Sequence, residues 1–199
     1  MNKINFSIIV SRIFDFYISV PVIATILIVR DDIKFSLYNI FLFIFIPLIL
    51  FLIFISLEIK KKGLKNIDFD LEDSKKVRLI SIFSVFIWIL FVAFIFLLEH
   101  KNIDFVNTLL AFSIILFVAF IITFYWKISF HAIMITSLFI SSIILGNIYI
   151  EVFFFLMIFA VSYSRYILKK HTIGQLVAGV SLVSLVFAIF FLSSLIVLK

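Results

Sequence analysis

Leu79–Leu98 reads LISIFSVFIWILFVAFIFLL, and Phe105–Trp126 reads FVNTLLAFSIILFVAFIITFYW. Neither run holds a charged residue, and only EHKNID separates them. About 20 apolar residues in a helix reach across the hydrocarbon core of a bilayer. In lipid every backbone polar group must pair inside its own segment, so the many Ile and Val residues are no bar to helix there. Two such runs joined by a short polar link predict neighbouring transmembrane helices. Upstream, Phe35–Leu57 is another uncharged run of spanning length, with a kink expected at Pro47. Downstream, His131–Ser164 divides into two shorter spans, because Gly146-Asn147 is a turn signal and Glu151 marks the return at the interface. Thr172–Leu198 is one more crossing.

At the N-terminus, Tyr17–Val29 is too short to cross alone, so its helix begins earlier and takes in Asp15 and Arg12. Their spacing lets the two pair on one helix face. Asp15 interrupts the apolar run and no small-residue cleavage pattern follows, so residues 1–30 do not read as a cleaved leader. The expected fold is all-α: a polytopic transmembrane helical bundle of six or seven spans, forming a single integral-membrane domain over residues 1–199.

Composition supports this. The 199 residues are 65% hydrophobic and only 14% charged, with 29 Phe. A soluble domain is nearer about 45–50% apolar and about 25% charged. A soluble globular domain, a disordered chain and a nucleic-acid binder are therefore excluded. The Phe residues read as lipid-facing and packing bulk. With Cys 0, there is no disulfide, thiolate metal site or Cys nucleophile.

Lys+Arg 17 against Asp+Glu 11 leaves a net charge of +6. Seven spans would put residues 58–78, 125–131 and 165–171 on one side, with most of the Lys and Arg. The positive-inside rule places that side in the cytoplasm, unless the cations are there to bind an anion. Two of the three His fall in these loops: His131, after Lys127-Ile128-Ser129-Phe130, and His171, after Ser164-Arg165 and five more residues. The third, His100, stands between Glu99 and Lys101 on the other side and reads as an interfacial residue.

Such loops suit phosphate chemistry. A phosphate dianion needs several cationic donors, and the Arg fork matches two phosphate oxygens. Arg165, Lys127, Lys75 and Arg78 are the candidates, and Ser129 offers a hydroxyl. With no Cys, and no carboxylate near either His, the candidate nucleophiles are imidazoles. Gln175 lies at i+4 from His171, where its amide oxygen can accept a ring N–H. Lys169 and Lys170 read as plain interfacial charges. Asp68, Asp70, Glu72 and Asp73 read as a solvated acidic run, so neither a metal nor another cofactor is expected. Gly174, Ala178 and Ser181 form a small-residue stripe for close helix packing.

The motif pattern resembles the type-2 phosphatidic acid phosphatase superfamily of integral-membrane lipid phosphatases. The third motif of that superfamily is Ser-Arg, five residues, His, three residues, Asp. Here it reads Ser164-Arg165-Tyr166-Ile167-Leu168-Lys169-Lys170-His171-Thr172-Ile173-Gly174-Gln175. The final Gln matches the His-Thr-x-x-Gln form of the dolichyl-diphosphatase-like members. The second motif, Pro-Ser-Gly-His, reads Ile128-Ser129-Phe130-His131, without the Pro and Gly. The first motif, Lys, six residues, Arg-Pro, has its nearest counterpart in residues 68–78, with Leu79 where Pro would stand. Gly179 matches the Gly that follows the third motif.

The resemblance implies that His171 is the nucleophile and His131 the general acid/base. Arg165 and Gln175 would complete the catalytic set. Lys75, Arg78, Lys127, Ser129 and Ser164 would hold the phosphate. It implies a membrane lipid substrate with a phosphate or diphosphate headgroup, a prokaryotic plasma membrane as location, and a phosphohistidine intermediate. The competing expectation is a non-enzymatic membrane protein, either a transporter-like bundle or an inactive lipid binder. Against a transporter, no strong inverted repeat is visible and the span middles lack ionisable residues.

Overall fold

The computed structural model describes residues 75–98 and 103–197, together with Ser7, Val10 and Ile49. Among the described residues there are five helices: α1 (Lys75–Leu98), α2 (Ile103–Tyr125), α3 (Phe130–Leu145), α4 (Ile148–Ile167) and α5 (Ile173–Val197). α1 packs on α2 and α3 packs on α4, while α5 lies against both α3 and α2.

The helix boundaries follow from local chemistry. Ser129 caps α3, its Oγ accepting from Ala132 N–H at 3.4 Å. Gly146 ends α3 in the left-handed region, at φ 73, and its N–H donates to the carbonyls of Ser142 and Ile143. Asn147 at once caps α4, its Oδ1 accepting from Tyr149 N–H and Ile150 N–H. The two helices are thus linked through Gly146-Asn147, the residues that signalled a turn. Glu151 stands in the first turn of α4, where a negative charge suits the helix dipole.

α3 is the most enclosed helix. Every residue from His131 to Leu138 is buried. Burial on all faces marks the centre of a bundle. The outward faces of α1, α2 and α4 carry Phe: Phe91 and Phe94, Phe117 and Phe124, Phe155 and Phe159 are all exposed. Ring pairs join the helices, with Phe83–Phe120 and Phe86–Phe117 between α1 and α2 and Phe112–Phe187 between α2 and α5.

The expected count of six or seven spans is corrected. The described residues form an all-α bundle of five helices, of which four (α1, α2, α4 and α5) are long and apolar enough to cross a membrane. α3 has 16 residues, which at 1.5 Å per residue is about 24 Å, short of a hydrocarbon core of about 30 Å. The turn at Gly146-Asn147 implies a span on either side of it, but the helix before that turn is too short to cross. The expected N-terminal helix with Arg12 and Asp15, the run Phe35–Leu57 with Pro47, the acidic run from Asp68 to Asp73, and His100 lie outside the described residues.

Candidate functional site

Three helix ends meet at the site. α3 and α5 begin side by side, and α4 ends in the loop that leads into α5. Ser129 N–H donates to the Gln175 carbonyl at 3.3 Å, joining the loop before His131 to the first turn of α5. Gly179, one turn further along α5, lets the two backbones close. A Cβ placed there would meet Ser129 O at 2.8 Å and Ala132 Cβ at 2.9 Å. Of the predicted small-residue stripe, Gly174 and Ser181 are exposed. The close approach to α3 is made by Gly179 instead. Gly174 faces the ring of Trp126.

The start of α5 is a capping box. Thr172 Oγ1 accepts from Gln175 N–H at 3.4 Å, and Gln175 Oε1 accepts from Thr172 N–H at 3.1 Å. Each of these residues satisfies a backbone N–H that the first helical turn leaves open. The same Oε1 stands 3.2 Å from His171 Nδ1. Gln175 therefore serves the helix cap and the His171 ring with one oxygen.

α4 ends in a Schellman arrangement. Lys170 N–H donates to Arg165 O at 3.1 Å and Lys169 N–H to Tyr166 O at 2.9 Å, with Lys169 left-handed at φ 55. This reversal carries the chain from Arg165 to His171 in one short loop. The Arg165 side chain is 2% exposed, that of His171 5% and that of His131 6%. A buried guanidinium is strongly disfavoured unless its surroundings satisfy it, so its enclosure here is a feature of the end of α4 and not an accident of surface charge.

The other predicted residues divide. Ser129 is fully buried; its oxygen receives the Ala132 N–H, and its own hydroxyl hydrogen is left to donate. Ser164 is buried and gives its hydroxyl hydrogen to Ala160 O at 2.7 Å, within its own helix. Lys75 is exposed, and its ammonium donates to Phe124 O at 2.7 Å. It thereby places a cation on the C-terminal end of α2 and brings the start of α1 to the same end of the bundle as Lys127. Arg78 and Lys127 are half-buried.

Sequence reasoning passed over two contributors. Thr172 sat in plain view as the first residue of a Thr-x-x-Gln box. Trp126 carried no such signal, since its place beside Gly174 depends on how α2 and α5 meet. In comparisons with protein families, curated proteins and solved structures, nothing matches this chain.

Proposed function

We propose that this chain is a membrane phosphohydrolase that removes phosphate from a lipid phosphate or diphosphate headgroup. One observation carries the reading. The loop before His131 and the first turn of α5 after His171 are bonded directly, Ser129 N–H to Gln175 O, with the Arg165 side chain buried at the α4 end that leads into the same loop.

The chemistry follows from those groups. Nε2 of His171 attacks phosphorus, a P–N bond forms, and the P–O bond to the leaving group breaks. His131 gives its proton to the departing oxygen. In the second half, His131 takes a proton from water, whose oxygen attacks phosphorus and releases phosphate and His171. Arg165 stabilises the charge on the equatorial oxygens, a stabilisation that grows in a water-poor site. Ser129 donates its hydroxyl hydrogen to the same group. The lipid tail stays among the helices or in the bilayer. The His-Thr-x-x-Gln form tilts the substrate toward a polyprenyl diphosphate.

One finding favours a non-enzymatic lipid binder. Lys75 and Ser164, both expected to hold phosphate, direct hydrogens to backbone carbonyls at Phe124 and Ala160. Phosphate release separates the two readings. The purified protein in detergent is given phosphatidate, phosphatidylglycerol phosphate and a polyprenyl diphosphate, with EDTA present. Release from at least one, lost in His171→Gln, is the expected result. Binding without release from all three supports the lipid binder.

A further inference from the structure

We propose that Thr172 is a positioning residue that sets which nitrogen of the His171 ring carries the proton, acting through the cap of α5. Gln175 is held at three points. Thr172 N–H donates to its Oε1, Thr172 Oγ1 accepts from its N–H, and Ser129 N–H donates to its carbonyl.

The first of these contacts fixes the amide. A backbone N–H is always a donor, so the side-chain atom it meets at 3.1 Å must be an acceptor. Turning the amide over would set the NH2 group against the Thr172 N–H, donor against donor. Only the oxygen fits there. That same oxygen faces His171 Nδ1 at 3.2 Å. It has no hydrogen to offer, so Nδ1 must be the donor. In the neutral ring the lone pair then resides on Nε2.

The lock therefore begins one residue from the ring. A Gln at i+4 alone does not decide which end of its amide faces the imidazole. The Thr172 N–H decides it, and the Thr172 hydroxyl, by gripping the Gln175 backbone, keeps the side chain within reach. The consequence for turnover rests on the reading of His171 as the phosphate nucleophile, since an Nε2 lone pair is what attack requires. The ring state itself is measurable without turnover.

The test uses the full chain in detergent with 15N-labelled histidine, at a pH where the rings are neutral. Two-bond 1H–15N correlation distinguishes a pyrrole-like from a pyridine-like nitrogen, and the His171 signals are those lost in His171→Gln. The expected wild-type pattern is a pyrrole-like Nδ1 and a pyridine-like Nε2. Thr172→Ser, which keeps the hydroxyl, retains it. Thr172→Val shifts the ring toward a mixture of tautomers, and Gln175→Met, of similar length but with no amide oxygen, does so further. With a substrate in hand, Thr172→Val lowers kcat about three- to tenfold, the scale of a lost cap, with KM little changed and Thr172→Ser near wild type. A pyridine-like Nδ1 in the wild type overturns the proposal, as does Thr172→Val that matches wild type in its ring signals. If Thr172→Val does not fold, Gln175→Met and Thr172→Ser still decide. The expected tautomers with no phosphate release from any lipid would retain the lock and defeat the phosphohydrolase reading.

Discussion

The two ends of α4 reverse the chain by different means. At its start, Gly146 takes the left-handed position and Asn147 the cap, each the residue type that its backbone role favours, and both are exposed. At its end, Lys169 occupies the left-handed position without the freedom of glycine, Arg165 is buried, and the cap of the next helix shares its oxygen with His171. The first turn is built for chain reversal alone. The second holds a non-glycine residue in the left-handed region between a buried Arg165 and a buried His171. Substitutions at the two ends should therefore fall into different classes.

The largest effect separates the histidines, with Asn147→Ala as the control at the far turn. His171→Gln abolishes both turnover and phosphoenzyme. His131→Gln blocks turnover, while phosphoenzyme formed from an ester with an easy leaving group persists longer than in wild type. Rapid quench with a labelled activated phosphate ester, then alkaline denaturation, preserves phosphohistidine for mapping. Asn147→Ala loses about 1 kcal/mol of stability through its cap but keeps its turnover per folded molecule. Label at His131 would reverse the two roles. A loss of turnover in Asn147→Ala matching that of His171→Gln would erase the distinction between the ends.

Next in size is the contrast within the site end itself. Arg165→Ala lowers turnover about 10²–10³-fold, the scale of a lost transition-state donor. Lys169→Ala, at an exposed position four residues on, changes it little. Phosphate release per folded protein is the measurement. Equal losses in the two variants would mean that bulk surface charge, and not a shaped site, governs activity.

Two glycines sharpen the comparison. Gly179→Ala drives a Cβ into Ser129 O and Ala132 Cβ, and the oxygen belongs to backbone that cannot turn aside. Overpacking of this kind costs about 1–3 kcal/mol, and it also pushes Ser129 away from Gln175, so kcat falls with the melting temperature. Gly146→Ala meets nothing within 4 Å, but its φ of 73 strains an L residue by about 1–2 kcal/mol. Its melting temperature falls in detergent while turnover per folded molecule holds. Parallel losses of turnover in both variants would show that the helix ends are coupled through the bundle rather than locally built.

These contrasts also show what the sequence makes legible. The Gly146-Asn147 reversal was readable because few residue types suit a left-handed position followed by a cap. The His171–Gln175 contact was readable from the four-residue spacing, but its cause is different: His171 precedes α5, and the Gln175 side chain reaches back over the Thr172 cap to meet it. The number of spans was not readable, since an uncharged apolar helix such as α3 reads as a crossing although its 16 residues fall short of one. Nor was the choice of Gly179 over Gly174, Ala178 or Ser181. α5 is apolar almost all round, so its pattern does not tell which small residue meets a neighbour. The bond from Lys75 to the Phe124 carbonyl was not legible either, since α1–α2 packing supplies that partner and no side-chain motif announces it.

The smallest effect concerns Lys169 itself. At φ 55 its backbone is in the region where an L residue crowds its own Cβ, at about 1–2 kcal/mol. Glycine removes that strain but gains freedom in the unfolded chain, which returns about 0.4–1 kcal/mol of the benefit. Lys169→Gly should therefore raise stability by about 0.5–1 kcal/mol, read as a higher melting temperature in detergent. The Schellman bonds at Arg165 and Tyr166 use backbone atoms only and survive the change. The lysine side chain is exposed and carries no part of the proposed chemistry, so turnover should stay within about twofold. Higher stability with unchanged turnover would mean that the strain is incidental to the site. Higher stability with reduced turnover would mean that the loop between Arg165 and His171 works by being held stiff. A lower melting temperature would refute the strain argument, and with it the contrast between this turn and the glycine turn at the start of α4.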